Sequence, residues 1–257
     1  FYSGFFMFNR TIWLLFVITT VVLTACKKEK LMLSPSDALV KSKTEGNFTE
    51  TYFYDTQKRL SKIVYSSPSS ASYYHEFTYQ ANSISEYRSE EPLYALEQSL
   101  PNGATRINCT SNPGLLKLNE KGFYIGTASN CQTASYQYDA NGFLLAQDLG
   151  ITDYSIKEQF SNDRKNVLTV SGKGFNYLGG DFTENTTYLY YTDKLNSIGN
   201  KNFGKQYLGK SSENLLKAAT KNGETTSYAY AFDAQERVIQ KITTKGSTQT
   251  TTTYTYY

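Results

Sequence analysis

Tyr230-Ala231-Phe232-Asp233-Ala234-Gln235-Glu236-Arg237-Val238 is the stretch that decides the fold. Aromatic residues two apart share one face of a β-strand, because successive side chains point to opposite faces. Tyr228, Tyr230 and Phe232 therefore line one face, and Ala229 and Ala231 take the other. Asp233 ends the strand, where an aspartate accepts a bond from a backbone N–H two residues on and starts a turn. Val238 then opens a returning strand. The stretch spells the turn end of a β-hairpin.

The same phrase recurs at Tyr52-Phe53-Tyr54-Asp55-Thr56-Gln57-Lys58-Arg59-Leu60 and at Tyr136-Gln137-Tyr138-Asp139-Ala140-Asn141-Gly142-Phe143-Leu144. Weaker copies are Phe77-Thr78-Tyr79-Gln80, Leu116-Lys117-Leu118-Asn119 with Gly122-Phe123, Phe160-Ser161-Asn162-Asp163 and Tyr188-Leu189-Tyr190-Tyr191-Thr192-Asp193. From Asp55 to Asp233 the copies are separated by 25, 39, 20, 22, 31 and 41 residues, so the base unit is short and the long gaps hold inserts. One insert covers 88–113, with a helical turn expected at Tyr94 to Leu100. Another, near 204–223, reads as a loop or short helix before the turn Asn222-Gly223.

One hairpin is marginal in water, so the units must pair edge to edge, and a sheet this wide must curl or close. The predicted fold is all-β. It is an antiparallel meander of about 14 strands, curled into a barrel-like or strongly curved sheet, with residues 48–257 as a single β-repeat domain.

Composition agrees. The 257 residues include 23 tyrosines, and Tyr, Thr, Phe and Val suit half-buried pleated surfaces. The charge is nearly balanced, at +3 for the whole chain, which argues against nucleic acid as a partner.

The N-terminal end carries a different message. Arg10, an apolar run from Ile12 to Leu23, and Leu23-Thr24-Ala25-Cys26 have the order of a bacterial lipoprotein signal. Residues 1–25 are read as the signal, with Met7 as the expected true start, and Cys26 as the lipidated residue. Residues 26–47 are read as a tether, rich in Lys, Ser, Glu and Thr. As a flexible coil it spans on the order of 25 Å. The expected partner is therefore a membrane, reached through an N-terminal lipid. The expected address is the cell envelope, at the outer membrane, facing the periplasm or the cell surface.

Cys109 and Cys131 remain once Cys26 is assigned. In an oxidising compartment an even pair reads as a disulfide, worth about 3 kcal/mol for a loop of this length. Two free buried thiols are the alternative, and thiol labelling under denaturing, non-reducing conditions distinguishes them.

The Tyr-Asp hairpin phrase resembles YD/RHS-type β repeats. Together with the lipobox and Gly209-Lys210-Ser211-Ser212-Glu213-Asn214-Leu215, it resembles a domain-of-unknown-function family of Bacteroidota lipoproteins described as porin-like in fold. The resemblance covers about residues 48–257. It implies a curled β-meander, and it carries over no known reaction and no catalytic residue.

Chemistry-bearing motifs are sparse. His75 is the only histidine, and its chain neighbour Glu76 points to the opposite face of a strand. Asp55, Asp139 and Asp233 are explained as turn formers. No spacing marks a metal site, a cofactor or a catalytic group, and no ligand-binding residue stands out. The favoured reading is a non-enzymatic, membrane-anchored lipoprotein that binds or scaffolds at the envelope. A glycan or a peptide is the ligand class its tyrosines suit. The alternatives are a purely structural envelope protein and a carboxylate-based glycoside hydrolase.

Overall fold

The computed structural model describes residues 37–89, 114–128, 132–151 and 154–257. Its first eight strands are β1 (Val40–Glu45), β2 (Phe48–Tyr54), β3 (Leu60–Ser67), β4 (Ser70–Tyr79), β5 (Ser83–Arg88), β6 (Gly114–Leu118), β7 (Tyr124–Ala128) and β8 (Gln132–Tyr138). The other eight are β9 (Leu144–Ile151), β10 (Tyr154–Asn162), β11 (Val167–Asn176), β12 (Gly180–Leu195), β13 (Asn214–Lys221), β14 (Glu224–Phe232), β15 (Val238–Lys245) and β16 (Thr248–Tyr256). Each strand pairs with its neighbours in sequence, and β1 also pairs with β16, so the meander closes into a barrel. The seam sets Lys43 opposite Tyr254 and Thr44 opposite Thr253.

The seven hairpin phrases account for β2 to β15, and β16 is the tyrosine-rich C-terminal strand. The strand hidden from the sequence is β1. It lies in the stretch read as tether, so the β-domain begins at Val40 rather than at residue 48. The reason is physical. Its inward residues include Lys43 and Glu45, held by Glu50 and Thr252 inside the barrel, so the strand lacks the apolar alternation that marks the others. Cys26, Cys109, Cys131 and residues 90–113 lie outside the described residues.

Four turns at one end share a hydrogen-bond pattern. Asp55 Oδ1 accepts the N–H groups of Gln57 and Arg59, each at 2.9 Å. Asp233 Oδ1 does the same for Gln235 and Arg237. Asp139 holds Asn141 and Phe143, and Asn119 holds Lys121 and Phe123. Burial pushes the Asp55 and Asp233 carboxyls up, but these N–H groups and the adjacent arginines outweigh it and hold both below the usual carboxylate value.

The fourth turn residue is left-handed each time: Lys58 at φ 61°, Gly122 at 78°, Gly142 at 89° and Glu236 at 61°. A left-handed L-residue costs roughly 1–2 kcal/mol, and glycine removes that cost at an entropic penalty of about 0.5–1 kcal/mol. Lys58→Gly and Glu236→Gly are therefore each expected to stabilise the barrel by about 0.5–1 kcal/mol. The denaturant midpoint measures this, and a fall in either variant would count against strain at that position.

Inward residues near these turns form the core, with Val40, Tyr52, Leu60, Ile63, Ile84, Leu215 and Val238 buried. Tyrosines serve here where phenylalanine would not. The hydroxyls of Tyr54, Tyr190, Tyr230 and Tyr256 donate to the backbone carbonyls of Val40, Val167, Leu216 and Val238, at 2.5–2.9 Å. Each phenol satisfies a strand-end acceptor that would otherwise be buried without a partner.

Candidate functional site

The link between β12 and β13 plugs the barrel at the end that carries the Asp turns. Residues 196–213 include two short 3-10 turns, Asn200–Phe203 and Gln206–Leu208. The segment bonds to distant parts of the barrel rim. Asn202 Nδ2 donates to the Ala38 carbonyl at 2.9 Å, and Leu60 N donates to the Gly204 carbonyl at 3.0 Å. Lys210 N reaches the Gly142 carbonyl at 2.8 Å, Glu213 N the Lys165 carbonyl at 2.8 Å, and the Ser197 hydroxyl accepts from Val238 N at 2.9 Å. Phe203 meets the Tyr52 ring edge-on at 5.0 Å, and Tyr207 is buried in the core cluster. The insert read as a loop or short helix is thus the floor of the barrel.

Burial changes along the barrel. Beyond the floor, inward residues of β12 and β14 such as Phe182, Glu184, Tyr188, Thr226 and Tyr228 stay partly exposed. The barrel is filled at one end and accessible above, which makes it a cup.

Ionic side chains gather inside the cup. Lys43 Nζ lies 2.7 Å from Glu50 Oε1, while the Tyr52 hydroxyl donates to the other carboxylate oxygen. His75 Nδ1 lies 2.8 Å from Glu86 Oε1, and Arg88 Nη2 is 3.2 Å from Glu86 Oε2. Burial pushes the Glu50 and Glu86 carboxyls up, but these partners outweigh it and keep both below their ordinary value. Tyr65 stacks on Tyr73 at 4.6 Å and meets His75 at 4.9 Å, an aromatic ladder beside the charges. Lys205 projects from the floor, with Nζ 5.7 Å from the Tyr52 ring centroid. Burial holds its ammonium below the usual lysine value, and the nearby carboxylates of Glu50 and Glu86 oppose that shift.

The sequence-predicted positions fall into place as turns and packing. Asp55, Asp139 and Asp233 are turn acceptors, widely spaced around the rim. His75 faces inward and pairs with Glu86 on the next strand, while Glu76 faces outward and pairs with Lys62 at 2.9 Å. Among the described residues no three His, Cys, Asp or Glu side chains gather as a metal site. A groove of about 540 Å³ at the rim is lined by Asn82, Asn119, Lys121, Phe123, Tyr138 and Asp139. Sequence reasoning missed Lys43, Glu50, Glu86 and Lys205. The available signal was charge in register with aromatics, as in Glu50-Thr51-Tyr52 and Tyr73-Tyr74-His75.

The outer wall is largely polar. Exposed residues of β10 and β12 include Ser155, Lys157, Gln159, Asp181, Thr183, Asn185 and Thr187, with Leu189 and Leu195 as apolar exceptions. Exposed apolar side chains also occur on it, among them Phe53, Leu145, Leu168 and Ile239. Strands of nine or more residues, among them β10, β11, β12, β14 and β16, are long enough to span a bilayer. Polarity rather than length therefore separates this wall from a lipid-facing one. Membrane barrels turn an apolar band outward and polar residues inward. Here aromatic residues such as Tyr52, Tyr65, Tyr124, Tyr230 and Tyr254 face inward, and only a minority, such as Phe53 and Tyr87, face out.

No protein-family model matches the chain. No curated protein matches it in sequence. Solved structures do resemble it. A porin-like protein from Bacteroides uniformis ATCC 8492 has a TM-score of 0.60 at 14% identity, over 87% of this chain and 98% of that one. A porin-like protein from Bacteroides vulgatus ATCC 8482 has a TM-score of 0.56 at 12% identity, over 86% and 99%. The likeness is one of fold: it bears out the barrel-like meander expected from the repeat and accords with the porin-like fold that the family resemblance implied.

Proposed function

We propose that this chain is a non-enzymatic envelope lipoprotein whose barrel stands in water and offers a blind cup to a ligand. The observation that carries this reading is the pairing of a plugged, aromatic interior with a polar outer wall. Such a barrel would lose hydrogen bonding along Ser155, Gln159, Thr183 and Asn185 if it were inserted in lipid, at several kcal/mol for each unsatisfied group. The floor formed by 196–213 removes a through-path even where the wall is wide. The Cys26 lipobox supports anchorage by acyl chains, and the neighbours' barrel fold accords with an envelope address. A hydrolase would need a carboxylic acid kept neutral beside a carboxylate. Glu50 and Glu86 are both held below their ordinary value, which favours binding over acid catalysis.

The test is conductance in planar bilayers, run beside sizing without detergent on protein freed of its lipid. The expected result is a monodisperse species and no channel events. Stepwise currents, or aggregation relieved only by detergent, would reverse the reading.

A further inference from the structure

The cup floor contains more cations than its carboxylates directly engage. Lys241 faces inward on β15, opposite Tyr230 on one side and Thr252 on the other. Thr252 donates to Glu45 Oε2 at 2.9 Å, and Glu45 shares the inner face of β1 with Lys43. Lys43 is in turn opposite both Tyr254 and Glu50. Lys205 rises from the plug beside Tyr52, the residue two beyond Glu50. Lys43 is the link between the other two ammonium groups on this inner wall: its charge acts on both Lys205 and Lys241. Only Lys43 has a direct carboxylate partner, and both oxygens of that partner are already used, by Lys43 and Tyr52. Among the described residues, neither Lys205 nor Lys241 makes a direct ion pair. Burial holds each below the usual lysine value, and the charge of Lys43 adds to that for both.

We propose that Lys205 on the plug and Lys241 on the wall, with Lys43 acting on both, form an anion-recognition track inside the cup for the carboxylates of a hydroxyl-rich ligand of the uronic-acid saccharide type. The inference rests on the cup reading and deepens it. A desolvated ammonium without a direct partner is costly, and a carboxylate delivered by a ligand gives a charge-assisted bond that the chain itself does not supply. The hydroxyl-rich part follows from the rest of the wall. The partly exposed phenols of Tyr65, Tyr73 and Tyr228 offer ring edges and hydroxyls, and exposed Glu45 offers an acceptor for sugar hydroxyls, with the paired carboxylates of Glu50 and Glu86 nearby. Those same carboxylates disfavour a ligand carrying several adjacent negative charges. Carboxylates set one to a sugar ring among hydroxyls fit better than a polyphosphate.

The test uses the full mature protein with trigalacturonate, neutral galactotriose and inorganic phosphate as probes, read by calorimetry. Trigalacturonate is expected to bind at least tenfold tighter than galactotriose or phosphate. Lys205→Met and Lys241→Met, which keep side-chain length and lose the charge, are each expected to weaken it at least tenfold. Lys201→Met, which removes an exposed plug lysine paired with Asp37, should leave binding unchanged. Melting temperature gives the second readout. The two cup variants should melt no lower than the parent, since each loses a half-buried charge with no direct ion-pair partner. If galactotriose binds as tightly and the lysine variants bind normally, the cup reading stands and the anion site falls. If no probe binds and both variants melt lower, the lysines serve Glu45, Glu50 and Glu86 structurally and the anion site is overturned.

Discussion

Gly209→Val is expected to unseat the plug and destabilise the barrel by on the order of 3–5 kcal/mol. Gly209 has φ +79°, and a Cβ added there would lie 2.6 Å from the Tyr138 ring and 2.7 Å from the Gly142 carbonyl oxygen. The second obstacle is backbone, and that same oxygen accepts the bond from Lys210 N that docks the segment. It cannot move aside without losing the bond. Gly204 repeats the arrangement across the rim, at φ +64°. A Cβ there would lie 2.6 Å from Leu60 N, the donor to the Gly204 carbonyl, and 2.8 Å from the Tyr54 ring. Overpacking of this kind costs roughly 1–3 kcal/mol and the left-handed backbone about 1–2 more, with β-branching at the upper end. That is a large share of a typical total stability of about 5–15 kcal/mol. Gly179→Ala is the control, since that glycine has open space and no left-handed φ. Denaturant melts and limited proteolysis across 196–213 read the outcome. Parent-like stability and an uncut plug in Gly209→Val would refute the docking geometry.

The plug also shows where a sequence stops being informative. The hairpins are legible because their signals are local. Alternate aromatics fix a strand face, and an Asp with two N–H groups within four residues fixes the turn, so Asp55, Asp139 and Asp233 could be assigned to turns without coordinates. The plug's contacts are scattered. Asn202 reaches Ala38, Gly204 reaches Leu60, Lys210 reaches Gly142 and Ser197 reaches Val238, and none of these pairs is linked by a period or a motif. The Gly-Lys-Ser-Ser-Glu-Asn phrase was visible as a feature but not as a floor. The same holds for the cup. Lys43 and Glu45 look like tether residues until β1 closes on β16 and turns them inward, and Glu86 is assigned to His75 only by the register of β4 and β5. Closure, a property of the whole sheet, creates the site from residues that are individually unremarkable.

Cys26→Ser is expected to move the protein wholly from the membrane fraction to the soluble fraction and to abolish globomycin-sensitive processing. The magnitude follows from acyl-chain burial, at about 0.8 kcal/mol for each buried CH₂. One chain holds a protein only reversibly, whereas two or three hold it stably, so losing the sole acceptor is close to all-or-none. The largely polar wall sharpens the prediction, because outward residues such as Lys157, Thr183 and Asn185 interrupt the apolar band that a barrel would need to hold itself in lipid. The chain enters the barrel at its plugged end, where Asn202 holds Ala38 and Lys201 pairs with Asp37 at 2.6 Å. The proposed tether would join the barrel at this closed end and leave the mouth free for the proposed ligand. Fractionation of the Cys26→Ser variant against the parent, without detergent, checks the claim. A variant that stays with the membrane would place the attachment elsewhere, in the barrel wall or in a protein partner, and would remove the lipid from the proposed function.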